Sequence, residues 1–427
     1  MNASPPRGLA ALALASVLVL AVPLIARAAP GDLDSTFSGD GMQNTDLGDF
    51  NEVAKSVVGL SGGKLLVLGR TRDDVGLVQY RNGGLPDTAF GGGDGIVTVN
   101  FLGDEQVYNG IVVLPSGRIV VAGDTQGTGR RRLAVYRFTA TGAPDSTFGG
   151  GDGKLAIDYG HDLYGYDLAV LGSGKMLVSG ELNLTNLDSV FFVARLRPNG
   201  TRDTTFGGGD GFVTTQFLAG HDGAWHMSVD SQGRIVVGGW AEERSNAFSN
   251  DVALARYTPA GKPDRTFGGD GKVITQIYQG ENDWAGGVAL QGSKIVAGAY
   301  TNDGTVRHFG LVRYLSNGSL DPTFGGGDGV VITPGSVSRE LEDVAVDPTG
   351  RILAAGDESV SPQQFVVARY LANGKLDTAF GTGGFAPSNF ASPATANGMA
   401  LASGGKIVVV GREPNGPSDF AVARFLP

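Results

Sequence analysis

Apolar residues in this chain fall in short runs, each cut off by glycine, proline, serine or aspartate. Residues 108–158 show the pattern. Ile111-Val112-Val113-Leu114 is an apolar run and Pro115-Ser116-Gly117 a turn. Arg118 to Ala122 is a β-branched run ended by Gly123, and after a polar loop Leu133 to Phe138 form a third run. The turn from Thr139 to Asp145 and a glycine-rich loop at Phe148 lead to a fourth, Lys154 to Ile157. Runs of this length and composition predict β-strands. No segment keeps a helical period over the ~10 residues that a helix needs.

The four-strand unit repeats. Second strands are predicted at Lys64–Leu68, Arg118–Ala122, Lys175–Ser179, Arg234–Gly238, Lys294–Ala297, Arg351–Ala355 and Lys406–Val410. A closing phrase recurs with them, as in APDSTFGGGDG and TRDTTFGGGDG. It is anchored by Phe37, Phe90, Phe148, Phe206, Phe267, Phe324 and Phe380, spaced 53 to 61 residues apart. Four strands per unit and seven units predict an all-β fold, a seven-bladed β-propeller with four antiparallel strands per blade. The chain stops at the third strand of its last unit, and the missing fourth lies at Gly41–Thr45. That N-terminal strand is expected to pair with the last blade and close the ring, which removes two open edges.

Residues 1–28 read as a signal peptide. Arg7 gives a positive start, Leu9 to Ile25 an uncharged apolar run, and Ala26-Arg27-Ala28 a small-x-small cleavage site. The propeller is then one domain over 29–427. Export to the periplasm, cell surface or exterior is expected, as a monomer with no transmembrane segment after cleavage.

The phrase L-D-x-T-F-G-G-G-D-G followed by valine, with G-K/R-I-V-V-G and V-A-R-Y upstream, resembles the bacterial delta-60 repeat family. The resemblance covers essentially the whole chain after the signal. It implies exported, repeat-built bacterial proteins and carries over no catalytic residues. Phe380-Gly381-Thr382-Gly383-Gly384 departs from the pattern by lacking the loop aspartate.

Charge narrows the partners. The net charge is −10, and −12 once Arg7 and Arg27 leave with the signal. An acidic surface repels nucleic acid and anionic membranes. The run Arg130-Arg131-Arg132 is one local patch and reads as a solvated loop. With no cysteine, stability rests on the core and not on disulfides.

The repeated loop carries two acids. The first, such as Asp145 or Asp264, occurs in all seven copies and is a candidate for a bidentate bridge to the third-strand arginine. The second, Asp94, Asp152, Asp210, Asp270 and Asp328 among them, offers an alternative as calcium loops. Calcium needs six to eight oxygens, so turn chemistry is the favoured reading and no cofactor is expected.

The non-repeating residues point elsewhere. Trp225, Trp240, Trp284, His161, His221, His226 and His308 fall in or beside the variable segments, mostly in blades three to five. Exposed aromatics among polar neighbours suit sugar or peptide recognition. At the start of each innermost strand, Lys55, Gly110, Asp167, His226, Gly286, Asp343 and Asn397 align as a ring at one mouth of the central channel. The leading reading is therefore an exported binding or scaffold protein for a glycan, peptide or envelope protein. A channel-mouth hydrolase or lyase comes second, because paired glycosidase acids sit ~5–9.5 Å apart and Asp167 and Asp343 belong to nearly opposite blades. A calcium-stabilised surface repeat comes third.

Overall fold

The computed structural model describes residue 1 and residues 28–72, 74–100, 106–127, 129–184, 188–218, 220–243, 249–279, 281–414 and 418–427. The expected signal peptide falls, apart from its two ends, outside these residues. No helix among them is long and apolar enough to cross a membrane.

The alternating runs form 28 strands in seven four-stranded antiparallel sheets, counted over the described residues. After β1 (Met42–Thr45), blade 1 holds β2 (Val53–Gly59), β3 (Leu65–Arg70), β4 (Val75–Tyr80) and β5 (Ile96–Val99). Blade 2 holds β6 (Gln106–Val113), β7 (Ile119–Gln126), β8 (Arg131–Phe138) and β9 (Lys154–Ile157). Blade 3 holds β10 (Asp162–Val170), β11 (Met176–Asn183), β12 (Ser189–Leu196) and β13 (Phe212–Thr215). Blade 4 holds β14 (Asp222–Val229), β15 (Ile235–Glu243), β16 (Ser249–Tyr257) and β17 (Lys272–Thr275). Blade 5 holds β18 (Trp284–Gln291), β19 (Lys294–Asn302), β20 (Arg307–Tyr314) and β21 (Val330–Ile332). Blade 6 holds β22 (Arg339–Val346), β23 (Ile352–Glu358), β24 (Gln364–Tyr370) and β25 (Phe385–Pro387). Blade 7 joins β26 (Thr395–Leu401), β27 (Ile407–Pro414) and β28 (Ser418–Phe425) to β1. The seven-bladed fold and its closure are as the sequence predicts: β1 pairs antiparallel with β28, from Met42↔Ala423 to Thr45↔Phe420.

Burial explains which runs are continuous and which alternate. Third strands are covered on both faces, and every residue of β12 is buried. Fourth strands such as β5 form the outer rim and are only partly covered. The core lies between blades. Val120, Leu133 and Val135 of blade 2 pack with Met176, Val178 and Phe192 of blade 3. The seam is built the same way, with Val408, Val410 and Phe420 of blade 7 against Val67 and Val78 of blade 1.

One polar device recurs at the base of the blades. Arg256 donates from Nε to Asp264 Oδ2 at 2.8 Å, from Nη2 to Thr266 Oγ1 at 2.9 Å, and from Nη1 to the Ser316 carbonyl of the next blade at 2.5 Å. Its guanidinium lies 4.8 Å from the Phe267 ring centroid. Arg137 and Arg195 repeat this arrangement toward Pro198 and Pro259. The expected bidentate bridge is thus not formed. The guanidinium divides its donors among aspartate, threonine and the neighbouring blade, so it fastens blade to blade instead of closing on one carboxylate. Arg424 makes the same joint at the seam, to Asp34, Thr36 and Asn82.

The loop acids act as turn residues. Asp94, Asp152, Asp210, Asp270 and Asp328 each accept the backbone N–H two positions on, at 2.9 to 3.4 Å. The sole group of three acidic ligand atoms within 4.8 Å of one another, among the described residues, lies at the seam instead: Asp46, Glu52 and Asp419. Both Glu52 carboxylate oxygens there already accept the Leu47 amide, and one also accepts that of Asp49.

Candidate functional site

The innermost strand of every blade carries a β-bulge at the same place. Pairing jumps from Ala54 to Ser56, Tyr108 to Gly110, Gly165 to Asp167, Ala224 to His226, Ala285 to Gly287, Leu341 to Asp343 and Ala396 to Gly398. The extra residues are Lys55, Asn109, Tyr166, Trp225, Gly286, Glu342 and Asn397. A bulge sets two residues against one and re-aims a side chain. Here it brings consecutive residues of one strand to the same cavity.

A glycine in the second strand makes room for it. A Cβ on Gly180 would lie 1.9 Å from the Tyr164 carbonyl, and one on Gly239 would lie 1.8 Å from the Gly223 carbonyl. Strand β7 accordingly runs through Gly123 to Gln126 and does not stop at that glycine as the sequence pattern suggests.

The bulges surround an axial cavity of about 450 Å³ to which all seven blades contribute. Lys55, Asp167, His226, Asp343 and Asn397, the polar members of the expected ring, all line it. The ring itself is corrected by one residue. Lys55, Gly286 and Asn397 are bulge residues, whereas Gly110, Asp167, His226 and Asp343 follow theirs. Asn109, Tyr166 and Glu342 are therefore lining residues that the sequence alignment missed. The overlooked signal is a glycine inside a strand pattern, which marks a bulge in the partner strand.

Several of these groups stitch the wall. Asp167 accepts the Leu168 amide at 2.7 Å and the Met227 amide of the next blade at 2.8 Å. Asp343 does the same with Val344 at 2.7 Å and Met399 at 2.9 Å. Lys55 Nζ donates to Asn397 Oδ1 at 3.1 Å across the closing seam.

Burial dominates the electrostatics. It pushes Asp167 up to about 6 and Asp343 up to about 7, where the charge of Asp167 adds to the rise. Glu342 is pushed up to about 8, by burial first and then by Asp357 and Asp343, against the pull of Lys55. The His226 imidazole is pushed down to about 4 and the Lys55 ammonium is lowered, both chiefly by burial. At neutral pH these shifts favour a neutral imidazole and a protonated Glu342, with Asp167 largely ionised and Asp343 near its midpoint.

The aromatic residues form one connected cluster beside this cavity. Tyr166 and Trp225 lie 6.3 Å apart, Trp225 and Trp240 4.7 Å, Trp225 and Trp284 5.9 Å. Tyr300 stacks on Trp284 at 4.5 Å and 13°. The three tryptophans are half-buried, and Trp225 lines the cavity. They sit on strands β14, β15 and β18 and so rest on the rigid frame. Trp240 lies across from Gly223, where a Cβ would fall 2.0 Å from its indole.

The remaining histidines do not join this site as lining residues. His161 is exposed. His221 Nδ1 lies 3.3 Å from Ser189 Oγ, and its amide donates to Glu242. His308 Nε2 lies 3.0 Å from Asp303.

Five segments, 114–148, 171–206, 231–267, 293–324 and 348–380, match the family described as domain of unknown function (DUF5122) beta-propeller. Each runs from the end of an innermost strand to the phenylalanine of the glycine-rich loop, which supports a β-propeller repeat family. No curated protein matches the chain. Among solved structures, a catalytically inactive histidine-to-alanine variant of virginiamycin B lyase from Staphylococcus aureus with quinupristin is 11% identical. The match covers 90% of this chain and 98% of that one, at a TM-score of 0.50. Sqt1 from Chaetomium thermophilum, bound to the N-terminus of ribosomal protein L10, is 12% identical over 90% of this chain and 100% of its own, at a TM-score of 0.44. At such identities the lyase shares the fold and nothing more.

Proposed function

We propose that this is an exported binding protein, of the delta-60 repeat type, that captures a ligand on the tryptophan cluster and holds its end in the axial cavity. The observation that carries this reading is the cluster itself. Tyr166, Trp225, Trp240, Trp284 and Tyr300 connect across three blades, yet the tryptophans stay half-exposed beside a cavity that polar groups enter. Aromatic faces with polar neighbours favour sugar rings, whose C–H faces pack on indole while their hydroxyls reach the polar wall. A glycan is therefore the first ligand class, ahead of a peptide or an envelope protein.

The test is calorimetric titration with soluble chitin, cellulose and xylan oligosaccharides. At least one should bind, and Trp225→Ala should weaken it by roughly 30-fold or more, the loss expected of an interface hot spot. Trp284→Ala should weaken it less, because Tyr300 keeps part of the surface. If binding persists unchanged in Trp225→Ala with the fold intact, the cluster is packing between blades and the reading fails.

A further inference from the structure

Resting on that reading, we propose that the channel mouth is the subsite for a primary ammonium group on the captured ligand, seated among Asp167, Glu342 and Asp343 with Trp225 at its side. The charge balance of the cavity comes first. Among the described residues, three carboxyl groups line it, and the only ammonium lining it is that of Lys55. Lys55 is itself an instance of the proposed contact, because its Nζ is seated on Asn397 Oδ1 at 3.1 Å in the same wall.

The shape of the acid set selects an organic cation over a bare metal ion. The three carboxylates and His226 do not bring three ligand atoms within 4.8 Å of one another. A metal held directly by protein needs such convergence. An ammonium group needs only one or two of its three donors on carboxylates and leaves the rest to an amide oxygen, water or a ring face. Its carbon stem needs an apolar neighbour, and Trp225 and Tyr166 provide one with negative ring faces that favour a cation.

Burial lowers the Lys55 ammonium and raises the acids, so a seated cation must pair with an acid to hold its charge. The acids are raised because they are buried without enough positive charge, and an arriving ammonium supplies it. Binding should therefore release protons. Asp357 adds to the negative field at Glu342, whereas Arg70 and Arg412 act on Lys55 from the flanks and oppose it.

The experiment is titration of the protein at pH 6.5 with three probes: tri-lysine, a glucosamine tetramer, and the same tetramer fully N-acetylated. The amine probes should bind at least tenfold more tightly than the acetylated one. Glu342→Gln should weaken the amines by about tenfold, as loss of one charge-assisted contact does. Lys55→Met should tighten them, since it removes the resident competitor. Both changes should move the amine probes more than they move the acetylated tetramer. Opposite responses to two neutralising substitutions cannot come from misfolding. Tri-lysine alone binding would support an ammonium from a peptide side chain, and the glucosamine tetramer alone an amino sugar. Equal affinity for both tetramers with a silent Glu342→Gln would overturn the ammonium subsite and leave the aromatic site standing. Binding that ignores Trp225→Ala would overturn both, and no binding by any probe would overturn the ammonium subsite alone.

Discussion

The two ends of each blade solve different problems with the same residue types. At the looped base, an aspartate and a phenylalanine recur in every blade and an arginine in six of the seven, and the buried aspartates meet cations: Asp203 meets Arg195 at 2.7 Å and Lys175 at 2.8 Å. At the channel mouth the acids Asp167, Glu342 and Asp343 sit in the wall of a cavity, and burial drives them toward neutrality. The difference shows what repetition is for. A joint that fastens neighbours can be repeated with little change, whereas a site needs each blade to contribute something different.

The base should break hardest. Arg256→Ala leaves Asp264 buried without its guanidinium, because the nearby Arg234 is committed to Asp230. A loss of about 3–5 kcal/mol is expected from a broken buried pair, measured by denaturant unfolding. Arg195→Ala should cost less, since Lys175 remains on Asp203. Equal losses would mean that the second cation contributes nothing.

Gly239→Ala tests the bulge that links the two regions. Its Cβ has no space against the Gly223 carbonyl, so β14 must shift and carry Trp225 and His226 with it. About 1–3 kcal/mol is expected, together with a loss of ligand binding larger than the stability change explains. Unchanged tryptophan fluorescence and binding would show that the strand absorbs the clash elsewhere.

The same comparison shows how far the sequence could be read. The recurring phenylalanine phrase announces the blades, and the absent fourth strand of the last unit announces the closure. Lys55, Asp167, His226, Asp343 and Asn397 were legible as one mouth because inner strands start at matching points of each repeat. Tyr166 and Glu342 were not, because an inserted bulge residue shifts the alternation by one, and no period-2 pattern reveals it. The joining of Trp225 to Trp240 and Trp284 is a tertiary fact, set by cross-strand and cross-blade placement that spacing does not encode.

Acidity separates the regions in solution. Asp34 and Asp145 are held down to about 2: burial opposes this, and hydrogen bonds from Lys406 and Thr36 to Asp34, and from Thr147 and Arg137 to Asp145, outweigh it. They add stability above the unfolded value near 4 and lose it as pH falls toward 2. The mouth acids behave in the opposite sense. Their raised values mean that folding favours the protonated form, so stability declines as pH rises from about 4 through 6 to 8. Melting temperature should peak near pH 4–5, and Glu342→Gln should flatten the alkaline limb alone. An unchanged limb in that variant would remove Glu342 from the account.

The smallest effect belongs to the second loop acid. Asp152→Asn keeps the oxygen that accepts the Lys154 amide, so the change should stay within about 0.5 kcal/mol. Melts with calcium and with a chelator should superimpose. A calcium-dependent rise abolished by Asp152→Asn would restore the metal reading of these loops.

The clasp of β1 onto β28 also fixes when the ring closes. Among the described residues the earliest strand, β1, has its partner in the latest, β28, so the blades form an open arc until β28 is made. Until then the exposed edge of the growing arc is free to recruit another chain. A polypeptide that stops short of Ser418 never receives the strand that β1 requires. Synthesis of β28 is thereby converted into a shape: before it, β1 is a loose strand, and after it, a closed ring.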